Sequence, residues 1–162
     1  MNYKLESAIR KKARTITKDL TLQDIPINPI DLIYIKYNIK IETIYDDLCG
    51  EDGYIFYKKG KYRIYLDINK HPKRRTFTEA HEIGHIALGH FKLSEYERNK
   101  YNKFLDMQAD LFASELLMPY NLILQLKEKM PILTDASIAR RFGVSNIAME
   151  IRIKNLNKMS FK

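Results

Sequence analysis

The stretch "TFTEAHEIGHIALGHF", Thr76 to Phe91, constrains this chain more than any other. It sets His81 and His85 four residues apart, with Glu82 directly after the first. On an α-helix, residues four apart lie about 40° apart around the axis and one turn along it. Both imidazoles therefore leave one face toward a common point, close enough to share a metal ion. Glu82 falls about 100° from His81 and about 60° from His85, at the edge of that face. A carboxylate there holds a water molecule rather than the metal, which is the mechanical content of H-E-x-x-H. Gly84 costs about 1 kcal/mol relative to Ala inside a helix. It makes sense if another element must approach this helix closely.

Five residues match by accident often enough that the site needs a third ligand. His90 is tempting, but it lies five residues past His85 where the metzincin spacing requires six, and Leu88 stands where that pattern has glycine. On a continuing helix His90 faces about 180° away from His81. It reads as a structural residue near a helix end, where a cation suits the dipole. His71, in "KHPK", reads as a loop residue. The better candidates lie in "LDMQADLFASELLMP", where Asp106 and Asp110 share a helix face and Glu115 lies about 180° from Asp106. Two acids one turn apart can divide two tasks. One binds the metal, and the other accepts the N–H of a ligand histidine and fixes its orientation.

"RRTFTEAHEIGHIALGH" followed by "DMQADLFASELLMP" resembles the ImmA/IrrE family of metallo-endopeptidases. Looser likeness extends to "PINPIDLIYIKYNIKI" and to "IARRFGVSNIAMEIRIKNL", so the resemblance covers most of the chain. It implies a gluzincin-like, zinc-dependent protease with His81 and His85 as ligands and Glu82 as general base. The family's third ligand is the glutamate that opens the second block. Asp106 stands there in this chain, shorter by one methylene, so its helix would have to sit closer. Asp110 falls where such sites keep an acid that supports a ligand. The resemblance also implies a partner: a helix-turn-helix repressor, cleaved or inactivated in mobile-element, phage or stress regulation.

The rest of the chain suits such an enzyme. It has 162 residues, 45% hydrophobic and 30% charged, the balance of a soluble globular protein. No apolar run reaches a membrane span, and the basic N-terminus lacks the apolar region of a secretory signal. Leu5, Ile9, Ala13, Ile16 and Leu20 recur at helical spacing instead. Cys49 is the only cysteine and cannot form an internal disulfide, which fits a reducing cytoplasm.

Next come a short helix over Ile30 to Tyr37, capped by Asn28 or Asp31, and a small sheet over about Ile39 to Asp67 with a hairpin at "KKG". The histidine helix is expected from about Thr76 to His90. On the acid-bearing helix, Phe104, Met107, Leu111 and Ser114 line one side. This order predicts an α+β, zincin-like metallopeptidase domain spanning 1–162: helices and sheet in 1–70, zinc-site helices in 71–119, and a helical segment in 120–162.

The tail, "TDASIARRFGVSNIAMEIRIKNL", has helix-turn-helix spacing around Gly143, and the net charge is +8. Nucleic-acid binding, or binding a repressor without proteolysis, is therefore the alternative function. Against it, Ile147, Met149, Ile151, Ile153 and Leu156 occupy more than one side of the second helix, and the lysines are dispersed. A helical pair packed on the protease body fits better.

Overall fold

A computed structural model describes the backbone of residues 1–160 and the side chains of residues 1–156. The chain opens with α1 (Tyr3–Thr17) and α2 (Pro29–Tyr37). Asn2 caps α1 by accepting the Leu5 amide. Asn28, rather than Asp31, caps α2, and Pro29 occupies the first helical position, where its missing N–H costs nothing. The apolar spacing of α1 buries Ile9, Ala13 and Ile16, while Leu20 lies beyond the helix end.

Strands β1 (Ile41–Asp46), β2 (Gly53–Lys58) and β3 (Lys61–Asp67) form one sheet in the order β1-β3-β2. β3 is central, parallel to β1 and antiparallel to β2. Lys59 and Gly60 both have positive φ, which the tight, right-twisting hairpin turn demands. The central strand buries Ile64 and Leu66. Among the described residues no strand pairs with the outer edge of β2.

The remaining elements are α3 (Pro72–Ala87), a 3-10 turn (His90–Lys92), α4 (Glu95–Leu117), α5 (Tyr120–Lys129), α6 (Asp135–Arg141) and α7 (Asn146–Ser160). α3 begins earlier than the Thr76 start expected from sequence. His71 caps it, with Nδ1 accepting the Lys73 amide, and Pro72 opens the first turn. It also ends earlier. Gly89 adopts φ +78, a left-handed conformation that stops the helix before His90.

Ser94 and Glu97 form a capping box at the start of α4. Its buried stripe is Leu105, Ala109, Phe112, Ala113, Leu116 and Leu117. Phe104 and Met107, which share one side of this helix in the sequence, are 40% and 52% exposed. The reason lies at the helix crossing: α4 must turn Ala109 onto Gly84 of α3, and this rotates Phe104 and Met107 outward. The core formed by α1, β3, α3 and α4 includes Ile9, Ile16, Ile64, Ile83, Phe112 and Leu116. Burying each such side chain stabilises by about 1.5–3 kcal/mol.

The tail pair α6 and α7 packs into the same core through Ile138, Ala139, Phe142, Val144, Met149 and Leu156. Arg152 of α7 is buried and donates both terminal nitrogens to the Glu115 carboxylate, and Nε to the Met118 carbonyl. Arg10 and Arg14 of α1 reach the same carboxylate. Removing one partner of such a buried cluster costs roughly 3–5 kcal/mol.

Candidate metal centre

His81 and His85 leave α3 on the face that looks toward α4. Their Nε2 atoms lie 3.1 Å apart. Asp106 of α4 brings Oδ1 to 4.0 Å from His81 Nε2 and 3.6 Å from His85 Nε2. All three ligand atoms fall within 4.8 Å of one another, the one such group of His, Cys, Asp or Glu among the described residues. Donors bonded to one zinc at tetrahedral angles lie about 3.3 Å apart, given bonds near 2.0–2.1 Å. The measured separations bracket that value, and two imidazoles with a carboxylate suit zinc chemically. The residues therefore fit the ion.

The close approach of the helices makes this possible. A Cβ added at Gly84 would sit 3.1 Å from the Ala109 Cα, so the backbones nearly touch there. Asp106 lies almost one turn before Ala109, on the cleft side of that crossing.

Asp110 accepts a 2.8 Å hydrogen bond from His81 Nδ1–H. An ionised carboxylate only accepts, so the imidazole proton sits on Nδ1 and Nε2 keeps its lone pair. Burial opposes charge on His81 most strongly, but this hydrogen bond and the charges of Glu82, Asp110 and Asp106 together outweigh it and hold the group above its ordinary value. His85 goes the other way: burial, with His81 and His90 beside it, pushes it down to about 3. It is thus neutral, as a ligand imidazole must be. Burial lifts Glu82 to about 7, against the pull of His81 and a hydrogen bond from the Ile55 backbone. A carboxylate poised near neutrality suits a general base.

These residues line one cleft together with Asp52, Gly53, Tyr54, Ile55 and Arg74. The outer edge of β2 thus runs along its rim. Arg74 is ion-paired with Asp52 there.

Glu115 is remote from this centre. It is fully buried and ionised against Arg152, Arg10 and Arg14, which hold it below the usual carboxylate range against its desolvation. His71 serves as the α3 cap, outside the cleft. His90 corrects the sequence expectation. The helix does not continue, so His90 does not face away; the turn at Gly89 returns it, buried, with Nδ1 2.9 Å from His85 Nδ1. Glycine at the helix end was the signal for this return. Cys49 is exposed and takes no part.

A small sheet beside an H-E-x-x-H helix that crosses an acid-bearing helix defines a zincin-like α+β metallopeptidase fold. Residues 38–154 match the peptidase family described as the IrrE N-terminal-like domain, and the chain belongs to that family. It is 28% identical over 128 residues to the metallopeptidase ImmA of Bacillus subtilis strain 168, covering 75% of this chain and 73% of that protein. It is 29% identical over 115 residues to an uncharacterized immunity region protein of Bacillus phage phi105, covering 68% of this chain and 71% of the relative. A Mycobacterium tuberculosis transcriptional regulator superposes with a TM-score of 0.57 at 18% identity, over 91% of this chain. This chain spans 45% of that regulator's length, and the likeness is one of fold. No helix among the described residues is long and apolar enough to cross a membrane.

Proposed function

We propose that this chain is a zinc-dependent endopeptidase that cleaves, and so inactivates, a helix-turn-helix repressor in the cytoplasm. The observation that carries the enzymatic reading is the convergence of His81, His85 and Asp106, with buried Glu82 beside them. His81, His85 and Asp106 would hold the ion, with Asp110 orienting His81. Bound zinc supplies Lewis acidity toward the scissile carbonyl and toward water. Glu82 accepts the proton of the attacking water on its carboxylate and returns it to the departing amine. The β2 edge, which no strand covers among the described residues, offers its backbone to an extended substrate, as sheet edges commonly do in peptide recognition.

A broad degradative activity in the cytoplasm would be harmful, so specificity must come from recognising one partner. The phage relative named for an immunity region and the regulator that shares the fold support a regulatory setting. The net charge of +8 would steer an acidic partner surface.

The test is co-expression with candidate helix-turn-helix repressors from the same genome. Wild type should shorten one of them and relieve its repression, and Glu82→Gln should do neither. Full relief by Glu82→Gln would mean action by binding, and the protease reading would fall.

A further inference from the structure

We propose that His90 is a positioning residue for His85: its Nδ1 accepts the His85 Nδ1 proton and holds that ring with Nε2 aimed at the metal position. The proposal rests on the metal-centre reading above. The two Nδ1 atoms lie 2.9 Å apart, with ring planes at 76°. Two imidazole nitrogens at that distance share one proton, so one donates and the other accepts. The direction follows from the other end of His85. Its Nε2 faces His81 Nε2 at 3.1 Å and Asp106 Oδ1 at 3.6 Å. A ligand nitrogen must present a lone pair, so the His85 proton belongs on Nδ1. His85 therefore donates and His90 accepts, and the proton of His90 moves to its own Nε2.

That Nε2 supplies a second observation. His90 is only 5% exposed, and its buried Nε2 has no hydrogen-bond partner among the described residues. The buried Gln108 amide interacts with the ring but does not complete hydrogen-bonding geometry at Nε2. A buried polar atom left unpaired is costly, and a phenyl ring would fill the site without that cost. The imidazole is accounted for by its other nitrogen, the one turned to His85. The two ligand histidines are thus supported differently: His81 by the Asp110 carboxylate, His85 by a neutral ring that adds no negative charge.

Two substitutions separate positioning from packing. His90→Asn keeps an acceptor close to where Nδ1 stands and loses ring volume. His90→Phe keeps the volume and loses the acceptor. Zinc affinity is read by competition with a chromophoric chelator, and folding by the melting temperature of metal-free protein. His90→Phe should weaken zinc roughly 10–100-fold while the metal-free melting temperature holds. His90→Asn should bind zinc within a few-fold of wild type although the metal-free protein melts lower. Wild-type affinity in His90→Phe overturns the proposal, as does equal weakening in both variants. Wild-type protein that takes up no zinc sinks the metal-centre reading itself, a distinct failure. One measurement needs no variant. Long-range proton–nitrogen NMR of zinc-loaded wild type should place the proton of His85 on Nδ1 and that of His90 on Nε2. A His90 proton found on Nδ1 overturns the proposal.

Discussion

Gly84 of α3 lies so tightly against Ala109 of α4 that a Cβ at position 84 would stand 3.2 Å from the Ala109 carbonyl oxygen. This contact sets the distance that a short aspartate must bridge. Gly84→Ala should gain about 1 kcal/mol of helix propensity and lose about 1–3 kcal/mol to overpacking. Its net effect on stability should be a loss of about 0–2 kcal/mol. Its effect on zinc should be about a tenfold loss, because Asp106 is drawn back from the histidines. Adding Asp106→Glu should recover part of that loss. Zinc affinity unchanged in Gly84→Ala would show that helix spacing does not govern the reach of Asp106.

The two aspartates should separate cleanly. Elemental analysis of wild type should give close to one zinc per chain, and Asp106→Ala or His85→Ala should carry little. Asp110→Ala should still bind, with affinity down roughly 10–100-fold, because it acts through His81. Zinc loss confined to Asp110→Ala would reverse the two roles.

Glu82 gives a pH signature in metal-free protein. Its folded value of about 7 lies above the ordinary 4.5, so between them the folded state holds more of this proton than the unfolded state. The associated stability is complete below 4.5 and is lost as pH rises through 7. His85, pushed to about 3, acts in the opposite sense but is common to wild type and Glu82→Gln. Urea titrations should therefore find wild type losing roughly 3 kcal/mol relative to Glu82→Gln between pH 4.5 and 7.5. A difference independent of pH would refute the burial-driven shift.

Arg152→Ala tests the buried cluster. Arg10 and Arg14 remain on Glu115, so the loss should fall near the low end of the range, roughly 3 kcal/mol. Zinc content should stay near one equivalent, because Glu115 points away from the centre. Depleted zinc in a protein that still melts cooperatively would show unexpected coupling between the two sites.

Much of this was legible in the chain because it depends on local spacing. The four-residue step of His81 and His85 survives any packing, and so does that of Asp106 and Asp110. Gly84 announced a close neighbour, although only the three-dimensional arrangement identifies Ala109. The strands were readable from β-branched and aromatic runs around "KKG". What misled was the end of α3. Extending the helix through Gly89 put His90 on the wrong side, whereas a left-handed glycine folds it back onto His85. The outward turn of Phe104 and Met107 was not readable either. Apolar periodicity gives a helix several candidate faces, and the partner helix chooses among them. Glu115 looked like another acid on a helix until arginines from α1 and α7, far away in sequence, were seen around it.

That arginine cluster has a consequence for a backbone that is cut. The connection between α5 and α6 is a short surface link, and the pieces on either side carry complementary halves of one ion knot: Arg10, Arg14 and Glu115 before it, Arg152 after it. Apolar faces on both pieces close over the knot, including Phe142 and Met149 from the later one. A single nick in this link should leave two fragments that remain docked and copurify. Expressed separately, they should find each other again, making the chain a natural starting point for a split protein whose assembly can be placed under outside control.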